Sequence, residues 1–441
     1  MNERMRNVLI ITDLFYASPR IPGLCKYLAD FGWKATILTA PLGNTNRERL
    51  VVPTDDAEIF EVPYKGMINI CKGMMGLKHN QSVFAQLGQK FLSAREETLM
   101  ESVLFKLFIW GATLFAYPDE MRGWRLPAIA AGKKLLQEGK FDAILSSSFP
   151  VTSHLIACNL SRSLNIPWVA DLRDLWTQNH NYLYPKRKLI ETRLEKKTLH
   201  HADALSTVSN SLAKKLQDRY ENKYMCVIPN GFDSALINDP CAPLTSEFTI
   251  TYTGLVYRGK QNPGRLFQAL HDLFEEGKLD YRKVKVRFYG VVQKWIAQLT
   301  KLFGLEEIVV QHGPVLRDDV IARQRESQVL LLCGWEEEYE TGVLPLKMFE
   351  YFAARRPIIA TGGTPNEQFR NILAQTKAGH DGITLDDIKH ILYEYYCSFL
   401  TSGAVAYQGI PSEMDKYNHY EMAKKFTHAL NQVVLTRNQL N

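Results

Sequence analysis

The chain has 441 residues, 46% hydrophobic and 23% charged, with a formal net charge of +6. That composition excludes a disordered chain, and the length exceeds what one core organises, so two domains are expected. Lys and Arg are interleaved with Asp and Glu throughout, which argues against a nucleic-acid binder; a mild positive balance suits an anionic small molecule or an acidic membrane surface.

The N-terminus, MNERMRNVLIITD, holds too short an apolar run for a signal peptide and moves straight into a strand, which predicts a cytoplasmic protein. NVLIITD (7–13) is a buried-strand pattern, PGLCKYLADFG (22–32) a helix and KATILTA (34–40) a second strand. Residues 67–125 fit no such alternation. They are helical in tendency and rich in Met, Phe, Leu and Lys, and read as an insertion packed on the first domain or as an amphipathic surface for membrane or a lipid-linked acceptor. The longest apolar stretch, VLFKLFIWGATLFA, contains Lys106 and is shorter than the ~20 residues of a bilayer-spanning helix.

Alternation then resumes with FDAILSSS (141–148), a helix through HLIACNLSRSL, IPWVADLRD (166–174), the helical ETRLEKKTLHHA, ALSTVS, SLAKKLQDRY and YMCVIPNG (224–231). DSALINDPCAPLTSE (233–247) has two prolines and no period and reads as the connection between domains. A second series follows: FTITYTG, PGRLFQALHDLFEEG, KVKVRFYG, a helix to Leu305, EIVVQHGPV, DDVIARQRES, QVLLLC, the helix within GVLPLKMFEYFAARRP, and RPIIATG. Strands alternating with helices predict an α/β protein with two doubly wound, Rossmann-like parallel sheets that face a cleft. The seven cysteines lie far apart with no CxxC pair, so neither a disulfide framework nor a zinc site is expected.

Candidate chemistry gathers at the expected carboxyl ends of strands. A helix N-terminus offers unpaired N–H groups and partial positive charge, and Lys347, just after Pro345, adds a full charge there for a diphosphate. Glu350, one turn on, suits a ribose diol; the alternative is an ordinary i,i+3 Lys–Glu pair on a solvated helix. Arg258 and Lys260 in TGLVYRGKQNP offer further charge for pyrophosphate, or are simply surface residues. The turn QHGPV presents backbone to a planar base, or is a plain strand-to-helix turn. The positions expected to contact a donor are thus Gly254, Gly290, Val315, Gly342, Val343, Leu344 and Glu350, with Lys347, Arg258 and Lys260 as the charged catalytic set.

In the first half, Arg20 in YASPRIPG, Ser148 and His154 in SSSFPVTSH, and Asp171, Arg173 and Asp174 in DLRDLW are candidates for acceptor or sugar hydroxyls. An Asp–Arg pair holding a loop is the alternative for DLRD, and a capping or core role is the alternative for His154. GxGxxG, GxSxG, HExxH and Walker A patterns are absent, and DLRD lacks the DxD spacing of a metal-dependent sugar transferase.

Taken together, ADALSTVSNSLAKKL…VIPNGFD, TGLVYRGKQNP, QHGPV and GVLPLKMFEYFAARRPIIATG resemble the family-4 glycosyltransferases of the GT-B fold. YPDEMRGW and VADLRDLW look like a bacterial branch concerned with surface polysaccharide. The resemblance implies an acceptor-side domain over 1–238, a nucleotide-sugar domain over 246–415 and a C-terminal helix, 416–441, crossing back to the first domain. It further implies a nucleotide sugar as donor, a glycan or lipid-linked acceptor, retention of anomeric configuration, and no metal or other cofactor. Glu350 matches the second glutamate of the family's E-x7-E motif, while the first falls on Gly342, and Glu340 is two positions early. That departure keeps two other readings open: a non-catalytic sugar-nucleotide or glycan-binding protein, and, from the shared architecture, a nucleotide-sugar epimerase.

Overall fold

The computed structural model describes residues 4–17, 19–42, 56–64, 117–179, 182, 185–238, 243–336, 342–365 and 367–440. Most of the segment 67–125, Tyr184, residues 239–242 of the connection, and Glu340 therefore lie outside the described residues. The chain divides into two compact units, Met1–Val208 with Ala213–Ile228 and Met422–Asn441, and Ser209–Leu212 with Pro229–Glu421.

The first unit contains a seven-stranded sheet. Its strands are β1 (Arg6–Ile11), β2 (Trp33–Thr39), β3 (Ala57–Glu61), β4 (Ala143–Ser148), β5 (Trp168–Leu172), β6 (Ala204–Thr207) and β7 (Tyr224–Val227), in the order β3-β2-β1-β4-β5-β6-β7. Every pairing is parallel. Helices α1 (Leu14–Ala17), α2 (Arg20–Leu28), α3 (Arg125–Glu138), α4 (Thr152–Leu164), α5 (Lys188–Leu199) and α6 (Asn210–Gln217) follow the strands in turn. Strands covered on both faces need apolar residues at successive positions, and Val8, Leu9, Ile10 and Ile11 are all 0% exposed.

The second unit carries β8 (Phe248–Thr253), β9 (Val284–Tyr289), β10 (Val309–Gly313), β11 (Val329–Cys333), β12 (Ile358–Thr361) and β13 (Gly379–Gly382), in the order β10-β9-β8-β11-β12-β13 and again all parallel. Its helices are α7 (Gly264–Glu275), α8 (Lys294–Leu302), α9 (Arg317–Glu326), α10 (Leu346–Ala354), α11 (Gln368–Thr376), α12 (Leu385–Ser402) and α13 (Pro411–Met414). Thr384 and Asp387 close the start of α12 with a reciprocal capping box.

The last helix, α14 (His419–Leu440), packs Met422, Ala423, Phe426, Leu430 and Val433 into the core of the first unit. There Asn431 Oδ1 accepts from Arg6 and from the Trp33 indole, and Arg437 pairs with Asp203 at 2.8 Å. Both sheets are doubly wound: the chain builds one side, returns to the middle and builds the other. The reversal falls between β1 and β4 in the first unit and between β8 and β11 in the second. Ligands of such sheets bind outside the carboxyl ends of the strands at that reversal.

Two edge strands were not among the elements expected from sequence. AEIFE (β3) is short, and GHDG (β13) has neither apolar alternation nor β-branched residues, so only pairing with β12 makes it a strand. Among the described residues no helix is long and apolar enough to cross a membrane. Cys25, Cys158, Cys226, Cys333 and Cys397 are free thiols.

Candidate functional site

In the second unit, β8 alternates Phe248, Ile250 and Tyr252 with Thr249, Thr251 and Thr253, all buried, and then needs a residue that can turn sharply. Gly254 does so at φ +105°, donating its N–H to Tyr289 O at 2.6 Å. Gly290, at the end of β9, approaches the Gly254 carbonyl so closely that a Cβ would collide with it. Its N–H in turn bonds to Gly313 O at 3.0 Å. The ends of β8, β9 and β10 are thereby stepped glycine backbone.

α10 delivers Lys347 to this place. Pro345 is its N-cap, and Met348, Phe349, Tyr351 and Phe352 bury one face, which fixes the direction of the intervening lysine. A Cβ on Gly254 would stand 2.8 Å from Cε and 3.1 Å from Nζ of Lys347. Nζ also lies 5.2 Å from the centre of the Tyr252 ring. Burial pushes the Lys347 pKa below its ordinary value, with Glu350 and Cys333 as the opposing influences. Among the described residues the ammonium has no hydrogen-bond or ion-pair partner. It is a partly desolvated cation at the β8/β11 reversal, where an anion would restore the lost solvation.

The loop after β8 is anchored by Gln261, which donates to Cys333 O at 3.0 Å and accepts from Tyr257 N at 3.2 Å. Lys260 lies over the Trp335 ring at 5.6 Å, and its carbonyl accepts from Glu336 N at 2.8 Å. Arg258 and Val315 are exposed, Val343 and Glu350 are half-buried, and Leu344 is buried. The structure thus joins Lys347, Gly254 and Gly290 directly; it gives no contact from Arg258 or Val315 to that group. Gly342 is buried at φ +101°, and a Cβ there would stand 2.5 Å from Ser211 Cβ and 3.0 Å from Ser209 Oγ. The missing family glutamate is therefore a glycine with no room for any side chain.

In the first unit, the candidates separate into an interior pair and a strand-end group. Arg20 donates through Nε (3.0 Å) and Nη2 (2.9 Å) to the two oxygens of Asp171, and the side chains are 1% and 0% exposed. Asp171 also accepts from Ser147 and Ser206, both at 2.8 Å, and Arg20 reaches Ile228 O. Burial would raise the Asp171 carboxyl, but the Arg20 charge and these bonds hold it below its ordinary value. Both residues face protein on all sides, so they tie α2, β4, β5 and β6 together rather than present groups to a sugar. The Asp–Arg pair exists, but Asp171 takes its arginine from α2 and not from DLRD.

His154 is likewise interior. Its Nδ1 is 2.7 Å from Ser146 Oγ, which also receives the Trp168 indole N–H at 2.8 Å. Burial pushes its pKa down to about 4, so it is neutral near pH 7 and packs as an uncharged ring. Ser148 is 1% exposed, and its carbonyl accepts from Arg173 Nε at 2.7 Å. Arg173 Nη1 donates to Tyr16 O at 2.8 Å, while Asp174 is exposed. Sequence reasoning missed Asp13 at this strand end. Its carboxyl is pushed up to about 6, by burial first and Asp119 in addition, against bonds from Tyr16 and Phe15 and the Arg173 charge. The available signal was its position directly after the first apolar strand.

Among the described residues no three of His, Cys, Asp and Glu gather as a metal site. Residues 65–236 match the family model described as Glycosyltransferase Family 4. Over that segment, less than half of its length, the chain is similar to glycosyltransferase family 4. No curated protein sequence matches this chain. Solved structures share its fold along nearly the whole length. Anabaena HepE (Alr3699), in complex with UDP, superposes with a TM-score of 0.59 at 12% identity, covering 97% of this chain and 100% of that one. The E. coli trehalose-6-phosphate protein bound with UDP-2-fluoro glucose gives a TM-score of 0.58 at 15% identity, over 97% and 99%. A putative UDP-N-acetylglucosamine 2-epimerase from Listeria monocytogenes gives 0.52 at 12% identity, over 97% and 96%. At such identities the likeness establishes the GT-B fold alone.

Proposed function

We propose that the chain transfers a sugar from a nucleoside diphosphate sugar to a glycan or lipid-linked acceptor, with retention of configuration and without a bound metal. The observation that carries this reading is the Lys347 ammonium, partly desolvated and with no hydrogen-bond or ion-pair partner among the described residues, at the β8/β11 reversal beside Gly254. A diphosphate supplies the negative charge that such a group lacks. As the bond to the sugar breaks, charge grows on the leaving β-phosphate, and Lys347, Arg258 or Lys260, and the N-terminus of α10 stabilise it. Glu350 accepts from the ribose hydroxyls. The acceptor hydroxyl attacks on the face the leaving group departs from and gives its proton to the departing phosphate, so no protein base is required. Anabaena HepE, crystallised with UDP, supports the ligand class.

We assign the acceptor to surface-polysaccharide assembly at the cytoplasmic face of a membrane. In support, the first turn of α5 carries Leu189 and Ile190 at 78% and 58% exposure beside Lys186 and Lys188. Flotation with anionic vesicles tests this part by itself.

Gly342 favours a second reading, a non-catalytic protein that binds nucleotide sugars, because its surroundings exclude the family's carboxylate. Incubation with UDP-, GDP-, ADP- and CDP-sugars separates the two readings. Slow release of one nucleoside diphosphate, accelerated by an acceptor extract, supports the transferase. Binding with no release under any acceptor moves the assignment to the second reading, and release of an epimerised nucleotide sugar contradicts both.

A further inference from the structure

The first unit has its own reversal between β1 and β4, and it is built differently from that of the second. Ile11 pairs with Ser146, and Thr12 Oγ1 donates to Ser147 O at 3.0 Å, so Asp13 lies level with Ser148 across the reversal. Arg173 straps the two strand ends together through Tyr16 O and Ser148 O. Asp13 Oδ1 accepts from the N–H groups of Phe15 (3.0 Å) and Tyr16 (3.2 Å), which fixes the carboxylate. Its other oxygen has no hydrogen-bond partner among the described residues. The Ser148 hydroxyl is buried and also lacks one. Two large aromatic side chains stand in solvent beside this polar group, Tyr16 at 43% and Phe149 at 37% exposure.

We propose that the β1/β4 reversal binds the ring of a neutral pyranoside, with Asp13 and Arg173 on adjacent hydroxyls and Tyr16 and Phe149 against its C–H face. This rests on the transferase reading above and identifies the acceptor class. A carboxylate only accepts and a guanidinium only donates, whereas each sugar hydroxyl does both, so a vicinal diol satisfies the two at once. The aromatic rings cover the apolar face that a pyranose presents between its equatorial hydroxyls. Charge narrows the class further. Asp119, bound to Thr152 N at 2.7 Å, repels Asp13, and Tyr16 lies near both Asp13 and Glu120. The Asp13 carboxylate with Asp119 beside it disfavours uronic acids, sialic acids and phosphorylated sugars at this strand end.

Saturation-transfer NMR tests this with the methyl glycosides of glucose, galactose, mannose and N-acetylglucosamine, and with methyl glucuronide, at a pH above the Asp13 value of about 6. The expected result is transfer to ring C–H protons of at least one neutral glycoside and none to the glucuronide. Asp13→Asn and Phe149→Ala should weaken that binding by roughly tenfold, and Phe149→Tyr should keep it. Circular dichroism and the thermal shift with nucleoside diphosphates confirm that the variants remain folded. Absence of glycoside binding beside intact nucleotide binding overturns the proposal and leaves the transferase reading standing. Glycoside binding that persists in both weakening variants, or equal binding of the glucuronide, also overturns it. Glycoside binding without any nucleotide binding upholds the site and defeats the transferase reading.

Discussion

The ε-amine of Lys347 stands 3.1 Å from the point a Cβ on Gly254 would occupy. Two residues 93 positions apart (347 minus 254) are thereby matched: the glycine leaves the space that the lysine fills. Gly254→Ala should displace the amine and strain a backbone held at φ +105°, at a cost of about 1–3 kcal/mol. Nucleoside diphosphate affinity should fall by more than stability does, which calorimetric titration and urea unfolding measure side by side. Unchanged affinity would separate Gly254 from the site.

Gly342→Glu should not restore the family's carboxylate. The positive φ and Ser211 Cβ at 2.5 Å both oppose a side chain, so the variant should lose at least about 1 kcal/mol of stability and gain no donor turnover. Increased turnover with unchanged melting temperature would show that the loop opens to admit the glutamate.

Asp171→Asn leaves Arg20 buried without its counter-charge. Removing one partner from a buried pair costs about 3–5 kcal/mol, and the urea midpoint should drop accordingly. A loss below ~1 kcal/mol would mean that Ser147, Ser206 and Ile228 O suffice to hold the guanidinium.

The contrast between these sites explains what was legible in the sequence. Lys347 could be read because its cause is local: a proline, a helix start and an apolar run stand within a few residues. The strands of both sheets were legible because burial on two faces demands unbroken apolar runs, as in VLLLC of β11. β13 was not, because the GHDG backbone pairs with β12 without apolar side chains of its own. The partner of Asp171 was hidden for the opposite reason: Arg20 is 151 positions away, and only the packing of α2 on the sheet brings them together. Gly342 was legible as a departure, but the serines that enforce it, Ser209 and Ser211, lie 133 and 131 positions earlier.

His154 gives the stability a pH dependence whose sign is fixed. Its pKa falls from 6.5 to about 4 on folding, so between these values the unfolded chain binds the extra proton. Stability from this group is complete above 6.5 and declines as pH falls toward 4, by roughly 3 kcal/mol in all. Asp13 works the other way: raised to about 6, it is protonated first in the folded chain and adds stability on acidification. Asp171, held below its ordinary value, loses its contribution only at still lower pH. The difference between wild type and His154→Gln in urea unfolding across pH 4–7 isolates the histidine. The gap between the two should narrow as pH falls; a constant gap would contradict a neutral buried ring.

The most direct test of the donor site is thermal unfolding of wild type and Lys347→Ala with UDP, GDP, ADP and CDP. A ligand at ~100 times its dissociation constant stabilises by ~2.7 kcal/mol. The account predicts a rise in melting temperature with one of the four nucleotides in the wild type and its loss in the variant. No rise with any nucleotide, or a rise that survives the loss of the Lys347 amine, would contradict it.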